Sequence, residues 1–136
     1  MNTLVIFYSF SGKTKKIAEE LATKESIDLV EIKDLVPFGK AKAYISGCYA
    51  AMKGVAWEII PVDIDFSKYE RIIMLAPIWA YNPPPAFNAI LEKLPEKKVI
   101  VLKMVSASGK SNCKERLKTL IETKGCTLES FEDIKA

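Results

Sequence analysis

Histidine does not occur in this 136-residue chain. Its absence excludes Ser/His/Asp triads, His-ligated metal centres and catalysis by an imidazole acid or base. Cysteine is scarce, and the three thiols, Cys48, Cys113 and Cys126, are odd in number and far apart. This spacing fits reduced thiols better than a disulfide framework or a zinc site. The sequence therefore predicts reduced cysteines and no metal centre.

Long apolar runs are absent too, because the longest uninterrupted ones have only the length of a strand. We therefore predict neither a membrane span nor a secretory signal, and expect a cytoplasmic protein without a membrane partner. The net charge is only +3 and the lysines are spread along the chain, so nucleic acid is not an expected partner. The hydrophobic fraction of 49% and the length predict that residues 1–136 form one domain.

The first twenty residues organise the rest of the chain. An apolar run at residues 4–8 stops at a loop made of Ser9, Phe10, Ser11, Gly12, Lys13 and Thr14. Apolar residues at helical spacing follow, as in a helix that packs one face on a sheet. The first amides of a helix are unpaired and carry partial positive charge, so this loop is suited to a phosphate. Gly12 lets the backbone come close, and the hydroxyls add donors.

Two other interpretations of this loop compete with phosphate binding. In the simpler one, Ser11 caps the helix and the other hydroxyls are solvated. The other is a P-loop, G-x-x-x-x-G-K-[ST], which requires glycine where this chain has Phe7. The same test at Gly109 meets Met104. No P-loop is therefore predicted.

Strands and helices alternate along the rest of the chain. We predict strands at residues 27–32, 71–77, 98–105 and 126–134, the last at a sheet edge. Residues 39–54 are predicted to form a helix or two helical turns over the sheet. Asn82 is predicted to cap a helix that starts in the triple proline, and Gly125 to end the helix before the last strand. This alternation predicts a parallel sheet with helices on both faces.

Three informative loops follow predicted strand ends, where ligands of such sheets bind. The first is suited to phosphate, the second carries Trp79 and Tyr81 beside rigid prolines, and the third, residues 106–112, is rich in small residues. Trp79 and Tyr81 could simply pack in the protein, but their position at a strand exit favours stacking on a flat ring. A planar ligand with a phosphate tail would satisfy all three loops.

These residues resemble the flavodoxin family. The loop at residues 9–14 matches the family's phosphate signature of hydroxyl, any, hydroxyl, glycine, any, hydroxyl, with Lys13 where asparagine is usual. Residues 77–87 resemble the segment of short flavodoxins that runs past one edge and face of the flavin. Residues 106–109 occupy the place of the second flavin loop, with Ser108 where one of two adjacent glycines is common. The resemblance covers nearly the whole chain.

The resemblance implies an α/β fold, a doubly wound five-stranded parallel sheet in the order 2-1-3-4-5 whose last helix is short or absent. It implies FMN as cofactor and no catalytic residue, since the flavin performs the chemistry. A missing last helix leaves one sheet face to residues 39–54 or to a second subunit, so a homodimer is one expected assembly. The cofactor-binding residues implied are Ser9, Phe10, Ser11, Gly12, Lys13, Thr14, Pro77, Ile78, Trp79, Ala80, Tyr81, Asn82, Ser106, Ala107, Ser108 and Gly109.

The predicted function is that of an FMN-binding redox protein, either an electron carrier or a small quinone- or nicotinamide-linked oxidoreductase. Its partner would be a redox protein or a small-molecule electron acceptor. Lys103 and Lys110 near the ring segment, without an acidic cluster, favour a higher reduction potential and two-electron chemistry. Lys13 and Ser108 favour the alternative, a module of the same fold that binds another phosphorylated ligand or none. A further alternative is an interaction subunit that uses residues 39–57 as its partner surface.

Overall fold

The computed structural model describes residues 2–136, and the side chain of Tyr44 lies outside this description. Five strands pair in parallel to form one sheet in the predicted order β2-β1-β3-β4-β5. Because the order reverses between β1 and β3, the carboxyl ends of these strands flank the position where ligands bind in open α/β sheets. The strands are β1 (Thr3–Tyr8), β2 (Asp28–Ile32), β3 (Arg71–Pro77), β4 (Val99–Ser106) and β5 (Thr127–Lys135).

Helices connect the strands. They are α1 (Lys13–Glu25), α2 (Lys40–Lys42), α3 (Cys48–Lys53), α4 (Pro85–Glu92) and α5 (Lys114–Thr123). A π-helical turn, Ala43–Gly47, joins α2 to α3 with helical backbone throughout. Residues 40–53 therefore form one continuous helix, which we call the insert helix. In the described part of the chain, no helix is long and apolar enough to cross a membrane.

The two faces of the sheet are covered unequally. On one face, α4 and α5 enclose the larger cluster of buried side chains, which includes Phe87 and Met74. On the other face, α1 covers a smaller cluster around Val5, Phe7 and Ile73. Successive residues of a strand point to opposite faces, so uninterrupted apolar runs such as β1 and β3 supply both clusters.

The insert helix does not cover the face on which α1 lies. It contacts α4 and packs Gly47 against Trp79, whose ring borders the larger cluster. Within residues 2–136 no helix follows β5. The β4–β5 part of the α1 face instead carries an ion pair between Lys103 and Glu132, with an N–O distance of 2.7 Å. This part of the sheet therefore carries charged side chains as well as apolar ones.

The helix ends follow local chemistry with one exception. Gly125 has a left-handed φ of 80° just beyond α5, as the prediction for this helix end required. Asn82 does not cap α4, because Pro84 occupies the cap position and Pro85 begins the helix. Proline suits a helix start because its missing N–H would be unpaired there.

Candidate functional site

The loop between β1 and α1 is open at the start of the helix. Gly12 occupies the cap position with a φ of 102°, and no side chain among residues 2–136 caps the helix. The interpretation of Ser11 as the cap is therefore wrong. The first turn carries no acidic residue, and Ser11, Gly12 and Lys13 are exposed. An uncapped helix start flanked by lysine leaves amide donors free for an anion.

Ser9 fixes the shape of this loop. Its Oγ accepts a hydrogen bond from the N–H of Gly12 at 3.1 Å, so its hydroxyl proton remains available to a ligand. A Cβ added to Gly12 would meet nothing within 4 Å, which means that open space lies next to the backbone. Thr14, in contrast, is buried at the start of α1. The donors accessible to a ligand are therefore concentrated at residues 9–13.

The aromatic loop after β3 is a two-residue turn. The N–H of Trp79 donates to the carbonyl of Asn82 at 2.7 Å, and the N–H of Asn82 donates back to the carbonyl of Trp79 at 3.0 Å. Between them, Ala80 and Tyr81 have φ values of 49° and 68°. Left-handed backbone costs a non-glycine residue about 1–2 kcal/mol, and such strain is concentrated at functional sites. The turn leaves Tyr81 60% exposed.

Trp79 belongs to a cluster of aromatic rings. Its ring meets Tyr8, Phe10 and Phe38 edge to face, with centroid distances of 6.2, 5.6 and 6.3 Å. Phe10 thereby joins the loop before α1 to the aromatic turn. A Cβ on Gly47 would lie 2.7 Å from Trp79 Cζ3, so the insert helix holds the ring from another side. The ring of Trp79 is therefore held in place by its neighbours, whereas the side chain of Tyr81 is exposed.

The third predicted loop, after β4, is shaped by its own serines. Ser106 Oγ accepts the N–H of Gly109 at 3.0 Å, and Ser108 Oγ accepts the N–H of Lys110 at 3.2 Å. Ala107 and Ser108 are exposed at its tip. Just beyond these residues, the N–H of Asn112 donates to the carbonyl of Tyr81 at 3.4 Å, so the loop contacts the aromatic turn. Pro77 and Ile78 adjoin it as well, because the N–H of Ile78 donates to the carbonyl of Val105 at 3.0 Å. The three predicted segments therefore meet at the carboxyl edge of β1, β3 and β4.

Arg116 is a site residue that the sequence interpretation missed. From the first turn of α5, its Nε donates to Asn82 Oδ1 at 3.2 Å. Its Nη2 is buried and has no hydrogen-bond partner in the described part of the chain. A Cβ on Gly54, at the end of the insert helix, would lie 3.2 Å from its Nη1. A guanidinium therefore lies directly behind the aromatic turn, and no local pattern distinguishes it from a solvated helix cation.

Tyr8 and Asp34 are further site residues that the sequence interpretation missed, and their side chains form a hydrogen-bonded pair. The Tyr8 hydroxyl donates to Asp34 Oδ2 at 2.5 Å. Burial raises the pKa of Asp34 above its ordinary value, although the hydrogen bond from Tyr8 and the charge of Lys42 act in the opposite direction. Burial and the adjacent carboxylate raise the pKa of Tyr8, so the phenol stays protonated. The sequence signal that could have revealed this pair is an acidic residue, Asp34, two positions after the end of β2.

A cleft of about 300 Å³ lies beside this pair, on the β2 side of the loop before α1. It is lined by Tyr8, Ser9, Phe10, residues 31–34, Pro37, Phe38 and Ile60. Its lining combines aromatic and other apolar residues with the acidic residues Glu31 and Asp34 and the basic residue Lys33. The cleft therefore adjoins the phosphate-suited loop but lies on the opposite side of β1 from the loop after β4.

Lys103, which the sequence analysis placed near the ring segment, forms an ion pair. Its ammonium is paired with Glu132 within the sheet. Lys110, in the loop after β4, is exposed. Lys110 and Arg116 therefore border the aromatic turn and this loop, and Lys135 packs beside Gly109.

Similar proteins share this architecture. A family model described as flavodoxin matches residues 2–125. A flavoprotein of Lactobacillus acidophilus NCFM, crystallised in complex with FMN, superposes with a TM-score of 0.79 at 23% identity, covering 96% of this chain and 91% of that chain. A flavodoxin of Streptococcus pneumoniae TIGR4 superposes with a TM-score of 0.57 at 15% identity, covering 100% and 87%. At these identities the likeness to the two structures concerns the fold alone.

One relative is similar in sequence. A protein of Archaeoglobus fulgidus is 31% identical over 87 residues, which are 64% of this chain and 53% of that protein. The chain thus spans about half the length of this relative.

Proposed function

The chain belongs to the flavodoxin family, and we propose that it binds FMN and acts as a redox protein. The observation that carries the proposal is the uncapped, acid-free start of α1 next to the aromatic turn. An anion at this helix start would gain unpaired amide donors and the positive end of the helix dipole. A flat ring attached to that anion would then reach Tyr81.

The residues present fit FMN. Ser9, Ser11 and the amides around Gly12 offer donors for the phosphate, and Lys13 adds a positive charge. Tyr81 offers an exposed ring for stacking, and Ala107 and Ser108 are exposed at the tip of the loop on the far side. These residues would hold the cofactor without supplying an acid or base.

FMN, when bound, supplies the electron-transfer chemistry, and the chain tunes it by charge. A reduced flavin ring is more negative, so nearby cations favour reduction and carboxylates oppose it. Two cations, Lys110 and Arg116, border the proposed ring position. Asp133 is an acid in the same region, and its carboxylate accepts a hydrogen bond from Ser111 at 2.7 Å. We therefore infer a comparatively high reduction potential and two-electron chemistry with a quinone-like or nicotinamide partner.

The proposal is tested by loading the purified chain with FMN and measuring flavin absorbance after gel filtration, followed by a potentiometric titration. We expect a yellow protein that is reduced in one two-electron step. Ser11→Asp places a carboxylate beside the start of α1, where it repels phosphate, so FMN affinity falls by about tenfold or more. Ser130→Asp, at another exposed serine on β5, is the matched control. A chain that stays colourless in excess FMN would refute the proposal.

A second candidate function is a phosphate-binding module without flavin. It is favoured by Trp79, whose ring is already packed against three other aromatic rings. The cleft on the β2 side of the loop would then receive the rest of a phosphorylated ligand. In that case inorganic phosphate would compete for the site and FMN would show no preference over other phosphate monoesters.

A further inference from the structure

Each of the four backbone carbonyls of the aromatic turn already accepts a hydrogen bond from the protein. The N–H groups of Trp79 and Asn82 donate to each other's carbonyls. Asn82 Nδ2 donates to the carbonyl of Ala80 at 3.1 Å. The N–H of Asn112, in the loop after β4, donates to the carbonyl of Tyr81 at 3.4 Å. None of these bonds involves a ligand, so the protein itself holds the left-handed backbone of the turn.

The side chain of Asn82 is oriented by Arg116. An amide has an oxygen that accepts and a nitrogen that donates, and only the nitrogen can bond to the carbonyl of Ala80. Arg116 offers donors alone, and its Nε bonds to the amide oxygen, Oδ1, at 3.2 Å. A flipped amide would place donor against donor on one side and acceptor against acceptor on the other. The guanidinium therefore directs Nδ2 towards the turn.

Arg116 is itself fixed from behind. It lies in the first turn of α5, where its neighbours Cys113 and Leu117 are buried in the larger cluster. A Cβ on Gly54 would lie 3.2 Å from Nη1, so the end of the insert helix closes against the guanidinium. Nη2 is buried and has no partner among the residues that the structure describes. An unpaired buried donor lowers stability, so a guanidinium in this place indicates a role other than folding.

We propose that Arg116 is a positioning residue for the flavin: acting through the amide of Asn82, it holds the aromatic turn in the conformation that presents Tyr81 to the ring. The inference rests on the proposed function, because Tyr81 stacks on a ring only when FMN is bound. The turn is already formed in the FMN-free chain, so binding does not have to order it. The role depends on an N–H at a fixed place in a planar group, which lysine lacks.

The test begins with NMR of the FMN-free chain. The intraresidue NOE between N–H and Hα is strongest when φ is positive, and it is measured at Ala80 and Tyr81. We expect both residues to be left-handed in the wild-type protein and to lose this conformation in Arg116→Met and Arg116→Lys. Lys118→Met is the matched control, because it removes a charge from the exposed side of the same helix.

FMN titrations of the same proteins separate positioning from charge. We expect Arg116→Met and Arg116→Lys to weaken FMN binding by a similar factor of about five to ten, and Lys118→Met to leave it unchanged. A role limited to charge predicts instead that Arg116→Lys binds FMN as tightly as the wild-type protein. Melting temperatures recorded on the same samples show that the compared variants are folded.

A substitution in the turn itself provides a rescue. Asparagine adopts left-handed backbone readily and is favoured at the first position of a two-residue turn with positive φ values. With Ala80→Asn present, the turn depends less on its clamp, so Arg116→Met should then weaken FMN binding by about twofold at most. Asn82→Ala removes the same link from its other end and should match Arg116→Met, which tests the inference even if the arginine variants do not fold.

The outcomes distinguish this inference from the proposed function. Arginine variants that keep the left-handed turn, or that lose it without losing FMN affinity, would overturn the positioning role alone. Wild-type affinity in Arg116→Lys, or a turn that is not left-handed in the FMN-free chain, would overturn it as well. A wild-type chain that binds no FMN, while Arg116 still holds the turn, refutes the proposed function.

Discussion

At the scale of single residues, Gly47 sets the distance between the insert helix and Trp79. A Cβ at this position would lie 2.7 Å from Trp79 Cζ3, so alanine must displace the ring or the helix. We expect Gly47→Ala to destabilise the protein by about 1–3 kcal/mol through overpacking, against a gain of about 0.5–1 kcal/mol from the better helix former. Denaturant unfolding and the near-ultraviolet circular dichroism of tryptophan measure the two effects.

Gly39→Ala is the matched control for this change. A Cβ there would meet nothing within 4 Å, and the residue precedes the same helix. We expect little change in stability and an unchanged tryptophan signal. Equal losses in the two variants would contradict the close packing of Gly47 on Trp79.

Asp34 gives a prediction for pH at the same scale. Its pKa is raised in the folded state, chiefly by burial, so the folded chain binds this proton more tightly than the unfolded chain. The resulting stabilisation is fully present below the ordinary value of 3.8 and is lost as pH rises through the raised value. Wild-type protein should therefore lose stability relative to Asp34→Asn as pH increases from about 4 to 7. Melting temperatures of both proteins across this range check the sign.

Asparagine is the suitable replacement because its carbonyl can still accept the Tyr8 hydroxyl, while it cannot ionise. Parallel pH profiles for the two proteins would show that Asp34 has the same pKa in the folded and unfolded chain.

At the scale of elements, the aromatic turn combines strain with exposure. Glycine at either left-handed position removes a steric cost of about 1–2 kcal/mol, so Ala80→Gly and Tyr81→Gly should be at least as stable as the parent protein. Tyr81→Gly also removes the exposed phenol, whose stacking is worth about 1 kcal/mol, and should weaken FMN binding several-fold. Unfolding curves and FMN titrations of both variants separate the two effects. Equal FMN affinities would show that Tyr81 does not contact the ring.

The helix ends show which features can be predicted from the neighbouring sequence and which cannot. The end of α5 at Gly125 was predictable because a left-handed residue after a helix favours glycine. The cap at Asn82 was wrong because its side chain is engaged by the carbonyl of Ala80 and the guanidinium of Arg116. Arg116 lies 34 residues away in sequence, so no local pattern contains this partner.

At the scale of the whole molecule, the parallel sheet and the meeting of three loops were predictable from the sequence pattern, whereas the strand order was implied by the resemblance to flavodoxins. Apolar runs of strand length, alternating with helical spacing, determine a parallel α/β sheet, and its loops then share one edge. The aromatic cluster was not predictable, because it joins separate segments of the chain. Phe38 stacks on Phe10 at 5.6 Å and meets Trp57 at 5.3 Å, contacts that depend on how the insert helix packs.

The most direct measurement is the ratio of the dissociation constants of riboflavin and FMN for this chain. The two ligands share the ring and differ in the phosphate, so their ratio isolates the contribution of the uncapped start of α1. Two charge-assisted hydrogen bonds from that start are worth about 3 kcal/mol or more, and FMN should therefore bind at least about 100-fold more tightly. A ratio near one would contradict the assignment of the phosphate to this loop.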